Sequence, residues 1–127
     1  DIALRLQMYR RIGALGELAD VYAMTDELQD RFGALPYAVE GLLFQIEVKI
    51  LAQLASATAI LARDGSIQIK LPYLGEIDRA RFARQLGGNF EVSRVAVMMS
   101  MRDNDMWRDE LRQLLTRLAD GGRGIGI

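Results

Sequence analysis

The side chains able to do chemistry in this 127-residue chain form a restricted set: 17 carboxylates, 14 arginines, two lysines, four tyrosines and scattered hydroxyls, with no histidine and no cysteine. The missing types remove the commonest general base, the commonest metal ligand, disulfides, thiolate zinc sites and thiol nucleophiles together. What remains is carboxylate chemistry on water or a cation, or recognition by charge. The densest group lies in the stretch ELQDRFGALP, residues 27 to 36. There Glu27, Asp30 and Arg31 stand at i, i+3 and i+4 and share one face of a helix. A second group, Asp103, Asp105, Asp109 and Glu110, has the donor type that Mg²⁺ takes. Acids also gather at helix N-termini because the helix dipole favours them, and these four read as capping residues. The glycine-rich end GGRGIGI invites a phosphate loop, but the chain has no Gly-Lys pair and no strand before these glycines. No cofactor, metal or catalytic residue is expected, and the chain itself is expected not to be an enzyme.

Composition sets the frame for these residues. With 50% hydrophobic and 26% charged residues and two prolines, the chain reads as one globular domain, residues 1 to 121, followed by a loose tail, 122 to 127. Acids interleave with arginines to a net charge of −1, so no basic stripe for autonomous nucleic-acid binding forms. No apolar run approaches the ~20 residues that span a bilayer and no secretory signal opens the chain, so no membrane partner is expected and the location expected is cytoplasmic. The chain starts at Asp1 inside a helical pattern, as a piece of a longer protein would.

Helical spacing of Leu4, Met8, Ile12 and Leu15 predicts a first helix, with Arg5, Arg10 and Arg11 directed elsewhere. A second follows Gly16, with a core stripe of Leu18, Val21, Tyr22, Thr25, Leu28 and Phe32, and Gly33 stands where a left-handed residue would end it. Pro36 suits the first turn of a third helix running to about Ser56. The period then becomes two: ATAILA, a tight Asp64-Gly65 turn, and IQIKL with Ile67, Ile69 and Leu71 on one face. Residues 77 to 86 read as a short helix stopped by Gly87-Gly88. From Phe90 to Met101 alternation returns with a phase slip between Val92 and Val95, as a bulge or a turn requires. Trp107 and Met98, Met99 and Met101 read as core, and a last helix starts at the Asp103-Asn104-Asp105 cluster. The class predicted is α+β: an N-terminal three-helix segment packed with a small, mostly antiparallel sheet, and a C-terminal helix.

At about 100° per residue, the core stripe of the second helix faces away from Asp20, Ala23, Met24, Glu27, Asp30 and Arg31. That outer face combines charge with an apolar pad, Met24, which has no evident core to join. The combination resembles the centre and rim of a modest interface. A plain solvated face fits the same residues equally well; if the face docks, Asp20, Met24, Glu27, Asp30 and Arg31 are the candidate partner-binding residues.

Two runs, RLQMYRRI (5 to 12) and ELADVYAMTDELQDRFGALPYAVEGLL (17 to 43), resemble the C-terminal domain of the transcription-repair coupling factor family. The family pattern appears here as Arg5-Leu6, Tyr9-Arg10-Arg11, Glu27-Leu28, Asp30-Arg31-Phe32-Gly33, Leu35-Pro36 and Leu42-Leu43. These motifs lie in about the first 55 residues; beyond them only the order of elements matches. The chain departs from the pattern at Ala57 to Ala62, more apolar than usual for the first strand, and by lacking an upstream segment. The resemblance implies a non-catalytic domain of an ATP-dependent DNA translocase that removes stalled RNA polymerase. Such a domain docks on the N-terminal region of its own parent protein, which recruits the excision-repair protein UvrA, and hides that region until the motor engages polymerase. UvrA, RNA polymerase and DNA are then indirect partners. Glu27, Asp30 and Arg31 match the family's docking contacts.

Two readings of other classes compete. An independent nucleic-acid-binding module would reveal itself by salt-dependent retention on duplex DNA. A carboxylate-based hydrolase using Glu27 and Asp30 would need a cleft and an upward-shifted carboxyl group, whereas the predicted positions lie on a convex helix face.

Overall fold

The computed structural model describes residues 1–121; the loose tail expected at 122 to 127 lies outside the described residues. The protein has an α+β fold with the order α1 (Ile2–Gly13), α2 (Leu18–Phe32), α3 (Tyr37–Leu54), β1 (Ala59–Arg63), β2 (Ser66–Lys70), α4 (Arg79–Leu86), β3 (Phe90–Val92), β4 (Ala96–Ser100) and α5 (Trp107–Ala119). A turn of 3₁₀-helix, Leu74–Glu76, precedes α4. Two compact units form, Asp1–Ile50 and Leu51–Ile127.

In the first unit Ile12 of α1, Met24 and Leu28 of α2, and Val39 and Leu43 of α3 make one buried cluster, with Met8, Tyr9, Leu15, Leu35, Leu42 and Ile46 half-buried around it. The buried stripe of α2 is Val21, Met24 and Leu28, whereas Tyr22 and Phe32 are 47% and 58% exposed. At about 100° per residue the true stripe is rotated by roughly 60° from the one expected. Met24, read from sequence as a surface pad, is a core residue at 6% exposure. The cause is its neighbours: it joins side chains of both α1 and α3, and a flexible thioether fills the space they leave. Glu47 is a second departure. It lies on the buried side of α3 at 4% exposure, and the Tyr22 hydroxyl donates a 2.9 Å hydrogen bond to its Oε2. That bond offsets part of the desolvation of the carboxylate.

The second unit holds a four-stranded sheet in the order β1-β2-β4-β3, antiparallel throughout. Asp64 and Gly65 both have positive φ, 53° and 77°, as the tight turn between Arg63 and Ser66 requires. The phase slip is a turn: Phe90 pairs with Met99, and the Ser93 N–H donates to the Ala96 carbonyl at 2.9 Å. Ile67, Ile69, Val97 and Met99 are buried and paired across β2 and β4. Met98, Met101 and Trp107 are half-buried rather than core. α5 buries Leu111, Leu114, Leu115 and Leu118, an i, i+3, i+4, i+7 stripe. Asp109 and Glu110 lie in its first turn, where the helix dipole favours acids, but the side chain that meets the helix start is Asn104, whose Oδ1 accepts from the Met106 N–H at 3.1 Å; Asp109 pairs with Arg112 at 2.6 Å and Glu110 accepts from Asn89 and Asn104. Tyr73 donates to the Ala55 carbonyl at 3.2 Å, and burial pushes its phenol above the ordinary tyrosine range.

Candidate docking face on the second helix

α2 carries a charge of suitable sign at each end. Asp20 sits in the first turn and Arg31 in the last, each on the side that the helix dipole favours. The Gly33 N–H donates to the Gln29 carbonyl at 2.8 Å and closes the helix. Gly33 has φ 72° and ψ −140°. The positive φ is as expected, but this is not the left-handed helical turn; it is the extended, positive-φ region that glycine alone occupies readily. The chain is thereby sent outward through Leu35 to Pro36, whose carbonyl accepts from the N–H groups of Val39 and Glu40 and starts α3.

Asp20, Asp30 and Arg31 are exposed and Glu27 is half-exposed. The structure divides them into two sets. Glu27 is engaged inside the unit: its Oε2 meets Arg11 Nη2 at 3.3 Å and its Oε1 meets Arg31 Nη2 at 3.9 Å. The first pair ties α1 to α2; its side chains remain 56% and 38% exposed, so it contributes about 0–1 kcal/mol. Asp20 and Asp30, by contrast, make no side-chain hydrogen bond or ion pair among the described residues. Arg11, expected from sequence only to point away from the core stripe of α1, is the partner that sequence spacing concealed. Met24 belongs to the core beneath this face and takes no part in it.

The apolar component lies elsewhere. Beside Glu27, the first turns of α1, the end of α2 and the 33–36 connection enclose a groove of about 360 Å³. Met8, Leu28, Leu35 and Val39 line it together with Leu4 and Phe32, which are 57% and 58% exposed, and Arg5, Arg11 and Arg31 border it. The misplacement of Phe32 in the expected core stripe hid this groove.

Among the described residues no group of three or more His, Cys, Asp or Glu side chains is placed to hold a metal ion, and no helix is long and apolar enough to cross a membrane. What the face offers is fixed charge of both signs beside an apolar groove, a surface for recognition.

Comparison with known proteins bears on the same segment. The profile of the TRCF domain family matches residues 1–81, which include all three helices of the first unit. The transcription-repair-coupling factor of Rickettsia conorii is 45% identical over 51 residues, 40% of this chain and 4% of that protein. Its namesake from Rickettsia typhi is 43% identical over 51 residues, 40% of this chain and 5% of that protein. The transcription-repair-coupling factor of Bacillus subtilis is 25% identical over 128 residues, 91% of this chain and 11% of that protein. The chain thus spans from 4% to 11% of the length of these relatives.

Proposed function

The chain belongs to the TRCF domain family, and from that premise we propose that it is a regulatory, non-catalytic domain of a transcription-repair coupling factor. It docks within its parent chain on the N-terminal region that recruits UvrA, and masks that region until the ATP-dependent translocase engages stalled RNA polymerase. The parent provides the contacts with DNA and polymerase, and the domain provides the mask. Asp20, Glu27, Asp30 and Arg31 form the docking face.

The observation that carries this reading is the pair Asp20 and Asp30, exposed and without a side-chain partner among the described residues, on a helix inside the family-matched segment. Solvated carboxylates with no such partner are placed to meet cations of another domain, and such contacts act on specificity and orientation. Glu27 and Arg31 frame the face and are held in place by each other and by Arg11.

The test is a double reversal, Asp20→Lys with Asp30→Lys. Glu27→Lys is avoided because it would place a cation beside Arg11 and confound docking with α1–α2 pairing. Binding of the 127-residue chain to the N-terminal region of the parent is measured together with UvrA capture by the full-length parent. Like charges facing each other at an interface cost several kcal/mol, and a loss of about 2.7 kcal/mol lowers affinity roughly a hundredfold. UvrA capture should rise in step. Unchanged affinity and unchanged UvrA capture by a folded double variant would refute the masking role.

A further inference from the structure

We infer that the groove between α1 and the end of α2 receives an apolar side chain from a partner segment that carries a carboxylate about one helical turn away. This deepens the docking reading and rests on it for the presence of a partner.

Size and lining come first. At about 360 Å³ the groove stands at the lower end of the roughly 300–1,000 Å³ typical of sites that enclose a ligand, enough for an anchoring side chain. Leu4 and Phe32 flank it with more than half their surface in water. Apolar side chains exposed around a concavity, with charge at the border, are the arrangement of an interface centre and its rim.

The sign of the border selects the partner. Arg5, Arg11 and Arg31 outnumber Asp1 and Glu27, the acids that line the groove. Both Glu27 oxygens already face arginines, so Glu27 offers little to an incoming lysine. Arg5 makes no ion pair among the described residues, and a guanidinium presents a planar fork of donors that a carboxylate fills in two-point fashion. An apolar residue followed by an acid one turn along fits groove and border together. The unpaired acids of the face, Asp20 and Asp30, require the opposite sign, so the partner must present base and acid in a fixed order across α2.

The probes are two synthetic helical peptides with the same central leucines, one bearing glutamates and the other lysines a turn to either side. They are titrated into the 127-residue chain and followed by backbone amide NMR. The glutamate peptide should bind at least about tenfold tighter than the lysine peptide, a difference of about 1.4 kcal/mol, with shifts concentrated at Leu4, Met8, Phe32 and Leu35. Phe32→Ser should abolish these shifts and Arg5→Glu should reverse the preference; both positions are exposed, so the fold should survive. Equal binding of the two peptides, shifts elsewhere, or no shift at millimolar peptide would overturn the inference. So would a self-association of the chain that Phe32→Ser disrupts and the glutamate peptide does not compete for, because the occupant would then be a second copy. If the peptides behave as expected while the Asp20→Lys, Asp30→Lys variant shows both unchanged affinity for the N-terminal region and unchanged UvrA capture, the groove stands and the docking role of the two acids fails by itself.

Discussion

Gly33 offers a test in which backbone conformation can be separated from packing. Its φ of 72° and ψ of −140° lie where an L-residue is strained, yet a Cβ built on it would meet no atom within 4 Å. Gly33→Ala therefore adds strain of about 1–3 kcal/mol without a clash. Alanine also narrows the unfolded ensemble, which returns roughly 0.4–1 kcal/mol, so the expected net loss is about 1–2 kcal/mol. At about 4 °C per kcal/mol for a chain of this size, Tm should fall by roughly 4–8 °C. The mirror image of this conformation is close to polyproline II, at φ ≈ −75° and ψ ≈ +145°, so D-alanine should fit without strain and raise stability by about 0.4–1 kcal/mol. The chemistry is accessible because residue 34 is alanine and the chain contains no cysteine. A peptide ending at residue 33 can be ligated to a Cys-initiated remainder, and desulfurisation then restores Ala34 alone. Gly13→Ala, at the end of α1 with equally open space and no positive φ, is the control and should stabilise by about 0.5–1 kcal/mol. Thermal and urea unfolding by circular dichroism read all three. L- and D-alanine of equal stability at residue 33 would refute the reasoning, because the effect would then not come from handedness.

Met24→Ala should destabilise by about 2–5 kcal/mol and Phe32→Ala by about 0.5 kcal/mol, the reverse of the order expected from side-chain size, as urea unfolding would show. A double-mutant cycle on Arg11 and Glu27 should give a coupling under about 1 kcal/mol that fades as salt rises; a salt-independent coupling would contradict the exposure of the pair. Tyr73→Phe should lose about 1 kcal/mol at neutral pH, because the Ala55 carbonyl loses its donor. The Tyr73 phenol has a raised pKa in the folded state, so its contribution is full below the ordinary value near 10 and is lost as pH rises through the higher folded value; the gap between wild type and Tyr73→Phe should therefore shrink in alkali.

Elements whose signal is local were legible in the sequence. The Asp64-Gly65 turn, the Gly87 stop with its φ of 99° and the slip that became the β3–β4 turn each depend on a few adjacent residues. The face of α2 does not. Periodicity shows that a helix has an apolar side, but which residues centre it depends on the two helices packed against it. Tyr22 and Phe32 pulled the expected stripe away from Met24; tyrosine is commonly left partly in water, but the exposure of Phe32 runs against its type. Gly33 shows the same limit within one residue. The helix stop demands a residue tolerant of positive φ, whereas ψ is set by where the chain must travel to reach Leu35 and Pro36. In the candidate site the charges were visible as residue types, but the partner of Glu27 is Arg11, 16 positions earlier and on another helix.

That pairing bears on how docking energy is distributed across the proposed face. A partner that takes hold of Glu27 exchanges one exposed ion pair for another, and such an exchange gains little. Asp20 and Asp30 give up water alone, so their contribution is ionic, rim-like and screened over a Debye length of about 8 Å at physiological ionic strength. The groove beside Leu4 and Phe32 contributes through apolar burial, which salt does not screen. Docking that used the acids alone should vanish as salt rises, and docking that also fills the groove should settle at a residual, salt-independent affinity. Measured on wild type and Phe32→Ser across a salt series, the two contributions separate: the charges set the slope, and the groove sets the plateau that the serine removes.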